Sequence, residues 1–398
     1  MKIFVVFLLF SLLMAGCTTP SPAPQPIPPP ANNSQTTVRP PTALPCLESG
    51  DQNTINAMLL RPGDVAVLCP GAVFLLQSPV IISADDQQIY TEGFPTDGTR
   101  ATLNIAAKNL TTAVLMRDHN NVLLSNIIVS GNRSKLGAAS GESLIYAGGY
   151  SHGQIIRDNK IMDTRSWSSL QLIQGYSDTQ PCQNALVENN EIGPAGTSSN
   201  MAWADGISLT CTGSIVRGNT ITDATDGAIV VFGAPGSVIE GNTIRAETRT
   251  LLGGINMVDF DPYFGNYTGT IVRNNTIDAS GAVIRIGLGM GHRVWGCLPS
   301  DSTEPPLDGA TVTGNILRGD RMQYGFAVDG VRNWTVTGNF DEARHSGRPT
   351  VDCGGLVASS PAGFLYNRAR AQGVFQPEFA QGNLDLALWA IVAPRPGE

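Results

Sequence analysis

The chain is poor in charge: Asp, Glu, Lys and Arg make up 15% of its 398 residues, and acids outnumber bases 33 to 25. A net charge of −8 gives no general attraction to nucleic acid or strongly anionic polymers, which demand basic surface. Seven cysteines are present, but none has a Cys-x-x-Cys or Cys/His spacing, which argues against a structural zinc. Histidine is scarce and scattered, at His119, His152, His292 and His345. After the first 17 residues nothing resembles a membrane-spanning segment.

What the sequence does have is repetition. The phrase SIVRGNTI, 214–221, returns as SVIEGNTI, 237–244, and relatives of it centre on Asn126, Asn159, Asn190, Asn219, Asn242, Asn275, Asn315 and Asn339. The intervals are 33, 31, 29, 23, 33, 40 and 24 residues, the mark of stacked coils with loops of unequal length. From Asn159 to Asn315 a Val or Ile stands three residues before the Asn and an Ile or Leu two after it. Strand alternation would send positions five apart to opposite faces, so the backbone must turn between them. Gly-Asn and Asn-Asn pairs tolerate the left-handed conformation such a corner needs. Stacked corner amides can then hydrogen-bond the coils above and below.

A second phrase supplies another strand per coil: ADGISLTC (204–211), TDGAIVVF (225–232), GGINMVDF (253–260), GAVIRIGL (281–288) and YGFAVDG (324–330). Together the two phrases resemble the right-handed parallel β-helix of the pectin-lyase-like superfamily, over residues 45–355. The resemblance implies an all-β solenoid entered through a capping helix at 53–60, which would protect the first edge strands. It leaves 356–398 as a C-terminal extension packing on the last coils.

The start of the chain is different. Residues 1–16 read as a signal peptide, and Leu13-Met14-Ala15-Gly16-Cys17 resembles a bacterial lipobox that would make Cys17 the lipidated N-terminus. Residues 17–44 form a Pro-rich tether. This predicts an exported protein anchored through lipid alone, or plain secretion if Cys17 is not used. Loss of Lys2 with the leader leaves 24 bases against 33 acids, a net charge of −9. The other six cysteines suggest disulfides, with sequence neighbours paired as Cys46–Cys69, Cys182–Cys211 and Cys297–Cys353.

Function has to come from side chains, because this fold carries many. Asp205 and Asp226 begin equivalent strands 21 residues apart, which stacks them about 5 Å apart, close enough for one carboxylate to raise the pKa of the other. Asp-Gly is also an ordinary turn pair, so corner capping is the competing role. Asp259 and Asp261 fall at the far end of the next strand and complete the candidate catalytic set. Ala204-Asp205-Gly206-Ile207, Thr225-Asp226-Gly227 and Arg285-Ile286-Gly287 are similar to the ordered motifs of the polygalacturonase family. The chain departs from that family in having a single Asp for a paired one, Gly253-Gly254-Ile255 in place of a His motif, and no Lys after Ile286. Phe260-Asp261-Pro262-Tyr263-Phe264 more distantly resembles the Asp-Pro-His-Asp signature of alginate epimerases and lyases.

Trp167, Trp203, Tyr263, Phe264, Tyr267 and Trp295 are candidate sugar platforms or packing anchors, and Arg165, Arg249, Arg285, His292 and Arg293 are candidate polar contacts. A lyase must neutralise a uronate carboxylate, with Arg, Lys or calcium, whereas a hydrolase needs only two carboxylates. The sparse, acidic charge therefore favours a glycoside hydrolase on a weakly charged or neutral polysaccharide, with no cofactor. A lyase or epimerase, with calcium as its possible cofactor, ranks second. A non-catalytic β-helix that binds glycan or a partner ranks third.

Overall fold

A computed structural model describes residues 45–174, 182–197, 202–259, 265–295, 305–347 and 359–382. The chain winds through three parallel sheets in rotation, with the second sheet skipped in the last described turn. The first runs from Val65–Leu68 to Ala371–Phe375, the second from Val73–Leu76 to Phe340–Asp341, and the third from Val80–Ile81 to Ala380–Gln381. The Phe364–Tyr366, Ala371–Phe375 and Ala380–Gln381 strands lie past residue 355, and they join the first and third sheets.

One continuous aliphatic core fills the interior, fed by the two positions flanking each repeated Asn, such as Val216 with Ile221 and Ile239 with Ile244. Between those positions the Asn amides form a spine. Asn190 Oδ1 accepts from the backbone N–H and the Nδ2 of Asn159, and the same pair of bonds recurs through Asn219, Asn242, Asn275, Asn315 and Asn339. Each Nδ2 also donates to a backbone carbonyl, as Asn219 does to Val187. Gln376 ends the spine by accepting from the Asn339 backbone N–H. The left-handed residue is the one before each Asn: Asp158, Asn189, Gly218, Gly241, Asn274, Gly314 and Gly338 all have positive φ. Asn126 departs from the pattern. It is itself left-handed and donates to the Phe94 and Pro95 carbonyls.

The entry helix is shorter than the sequence predicts. It spans Gln52–Asn56, capped by the Asp51 carboxylate, and seats Ile55 in the core. The chain leaves the helix because the Leu60 and Arg61 N–H groups turn to the Asp64 carboxylate. Two of the expected disulfides are formed, Cys46–Cys69 and Cys182–Cys211; Cys17, Cys297 and Cys353 lie outside the described residues. No helix among the described residues is long and apolar enough to cross a membrane.

Candidate active site

The outer face of the third sheet carries the candidate acids. In its Asp205–Leu209 strand, Ile207 and Leu209 point into the core and Ser208 points out. Gly206 also faces inward, because a Cβ there would meet the Ala228 carbonyl and the Ile221 side chain. Two successive inward residues break the alternation, so Asp205 and Ser208, three apart, share the outer face. Ser168 lies in register with Asp205, and Gln171, Ser208, Val230 and Asn256 form a second outer row across four strands.

Asp205 is nearly buried at 5% exposure. Its Oδ2 accepts from Ser208 Oγ at 2.8 Å and its Oδ1 from the Gly227 N–H at 3.2 Å, while Ser208 Oγ lies 2.9 Å from Ser168 Oγ. Burial, reinforced by the Asp226 charge, pushes the Asp205 carboxyl well above the usual carboxylate range despite those donors. Asp226, on the next coil, keeps partial exposure, and burial pushes it up to about 6. The structure therefore brings together two carboxylates that resist ionising at once.

The other expected residues divide. Trp167 is 38% exposed immediately before the Ser168–Gln174 strand, and its backbone carbonyl accepts the Asp205 N–H at 2.8 Å. Trp203 is partly buried and packs on a satellite apolar cluster that includes Leu252, Ile286 and Tyr324. Tyr267 is core: it is fully buried and its hydroxyl donates to the Val231 and Val258 carbonyls. Arg165 is buried among backbone carbonyls, holding those of Lys108, Leu110 and Gly137 among others, and Arg249 donates to the Gly196 carbonyl. Arg285 is 3% exposed and donates to Gln323 Oε1 at 3.0 Å. These three guanidiniums brace the fold.

Asp259 does not join the acid pair. It follows the far end of the Leu251–Met257 strand, six residues beyond Gly253 and roughly 20 Å along the chain direction. His292 and Arg293 fall at that same far end, in the helical turn His292–Trp295, because Met257 and Met290 are in register. Burial and the neighbouring Arg293 and Arg370 push His292 down to about 4, so it is neutral at pH 7 and stands apart from the acids. Asp261, Tyr263 and Phe264 lie outside the described residues, as does the Trp295 side chain. Among the described residues no three His, Cys, Asp or Glu side chains converge on a metal position.

A family model described as "Right handed beta helix region" matches residues 179–341. With the three parallel sheets it decides the architecture. The chain is a right-handed parallel β-helix. Among solved structures, the β-helix is similar to the tailspike protein of E. coli bacteriophage HK620 in complex with pentasaccharide, at 13% identity and TM-score 0.52, over 84% of this chain and 62% of that one. It is similar to the pre-mature bacteriophage phi29 gene product 12 at 13% identity and TM-score 0.51, over 73% of this chain and 39% of that one. It spans less than two thirds of the length of either phage protein. An alginate lyase from Paenibacillus sp. str. FPU-7 matches at 15% identity and TM-score 0.38, over 75% of this chain and 98% of that one. No curated protein sequence matches the chain.

Sequence reasoning missed Ser168, Gln171, Ser208 and Asn256. The signal lay in the aligned second phrases, where Ser208, Val230, Asn256 and Gly289 occupy one position of successive coils of the β-helix. A polar residue between two core residues there faces the site.

Proposed function

We propose that the β-helix is an exported glycoside hydrolase that cleaves a polysaccharide with the Asp205–Asp226 pair. The observation that carries this reading is the placement of two carboxylates on successive coils, each raised by its surroundings. In this reading the pair shares one proton, assigned to the more deeply buried Asp205, and Asp226 is the ionised partner. Asp205 gives that proton to the leaving glycosidic oxygen as the C–O bond breaks. Asp226 takes a proton from the water whose oxygen bonds to the anomeric carbon. The proton then returns from Asp226 to Asp205 across the pair, restoring the starting state. Trp167 offers the sugar a flat apolar face.

The engagement of Arg165, Arg249 and Arg285 within the protein supports hydrolysis over elimination, which needs free cations against a uronate. The test is a panel of neutral and acidic polysaccharides assayed for new reducing ends and for the absorbance of unsaturated uronate. New reducing ends without that absorbance are expected. Unsaturated product would replace this reading with a lyase, for which calcium dependence would then be measured. Export and anchoring rest on the leader: membrane fractionation in a lipoprotein-processing bacterium should find the wild type with membranes and Cys17→Ser in the soluble fraction. Equal solubility of the two would mean plain secretion.

A further inference from the structure

Beside the acid pair, three buried polar atoms have no hydrogen-bond partner among the described residues: Gln171 Oε1, Asn256 Oδ1 and Trp203 Nε1. Gln171 and Asn256 are 5% and 4% exposed, so water does not freely replace a missing partner. Both stand on the outer row that contains Ser208, one coil before it and two coils after it. They bracket the acids over three coils, roughly 14 Å. The Asn256 amide is fixed in place, because it occupies the space over Gly227 where a Cβ would lie 2.6 Å from Nδ2.

We infer that Gln171 and Asn256, with the Trp203 indole N–H, read the hydroxyl groups of a neutral oligosaccharide laid across Asp205 and Asp226. This rests on the proposed reading only in placing the glycan over the acid pair, not on the acids turning it over. A hydroxyl both donates and accepts, so it satisfies an amide in either orientation of its O and N atoms. A carboxylate only accepts. It would leave the amide carbonyls unpaired and would face the Asp226 charge, while the nearby Arg285 is held by Gln323. The 14 Å between the two amides exceeds one sugar ring, so the ligand is an oligomer.

The test uses full-length Asp226→Asn protein, which separates binding from turnover, titrated calorimetrically with neutral oligosaccharides and with oligouronates of matched length. Neutral ligands should bind in preference. Gln171→Ala and Asn256→Ala, added singly, should each weaken that binding about tenfold, the scale of one hydrogen bond lost from a buried site. Gln171→Met and Asn256→Leu keep the volume but remove the amide; they should weaken neutral binding to the same extent, and they replace the alanine variants if those do not fold. Preference for oligouronates, no binding to either set, or neutral binding indifferent to the alanine changes in folded protein would overturn the inference. Neutral binding without turnover by the wild type would sink the hydrolase reading and leave this one standing.

Discussion

Two polar structures run along this β-helix. On the Asn spine, seven buried amides from Asn159 to Asn339 repeat one arrangement, and every amide bonds to its neighbours. On the outer face of the third sheet, four successive coils present four different residues in one row, Gln171, Ser208, Val230 and Asn256, with Asp205 and Asp226 beside them. Uniform, satisfied polarity is how the chain holds its coils in register. Irregular polarity with raised carboxylates and unmet amides is costly to the fold, and its natural explanation is a ligand.

The sharpest way to break this contrast is to change one residue of each kind. Asp205→Asn and Asp226→Asn should each lower turnover by a factor of about 10² or more, with a thermal midpoint no lower than wild type. If both variants lose stability while keeping activity, the acids are corner caps and the contrast collapses. Asn219→Ala should do the reverse, costing about 3 kcal/mol of unfolding free energy in a denaturant titration. It leaves the Val187 carbonyl and the Asn190 and Asn242 amides short of partners, with the acid pair untouched. An unchanged midpoint would mean that the spine contributes no stability.

A smaller effect sharpens the assignment of charge. Because the folded-state pKa of Asp226 is raised to about 6, its favourable contribution belongs to the protonated form and is lost as pH rises from about 4 through about 6. Asp226→Asn should therefore match wild-type stability near pH 4 and exceed it by about 2 kcal/mol at pH 7, allowing for its partial exposure. A constant difference across that range would show an ordinary carboxylate. The smallest effect is expected on the first sheet. Arg217 there pairs with Glu188 at 2.7 Å on an exposed face, and Arg217→Ala should cost less than about 1 kcal/mol.

Much of the fold was legible because an Asn amide can pair with a copy of itself, so the spine had to be written as a repeated letter. The acid pair was legible because each Asp opens a second phrase, although the register of Ile207 with Ile229 sets Asp226 one residue further back, just before the Gly227–Val231 strand. The bulge at Gly206 was not, since a short apolar run gives no sign that two neighbours both turn inward, and Ser208 was therefore assigned to no face. Asp259 was legible as lying at the far end of the next strand, but not that this end stands out of reach of the acids, roughly 20 Å along the chain direction from Gly253. Tyr267 shows the ambiguity of aromatics, whose composition is the same whether they stack on sugar or fill a core. Arg285 shows that a cation within an apolar run can be a brace for its neighbour.

The spine has a further consequence for how such a chain changes over time. Its amides stand 23 to 40 residues apart in sequence, yet the contacts between them stay within 2.9–3.1 Å. The extra residues fall largely in the connections beside the third sheet, such as those between Met257 and Asn266 and between Met290 and Leu307. Insertions there lengthen a connection without altering a single rung, and the entropy of a longer loop grows only slowly. Coils and connections are thus separable units of inheritance. A descendant can exchange one connection while the stacking that keeps it folded passes down unchanged.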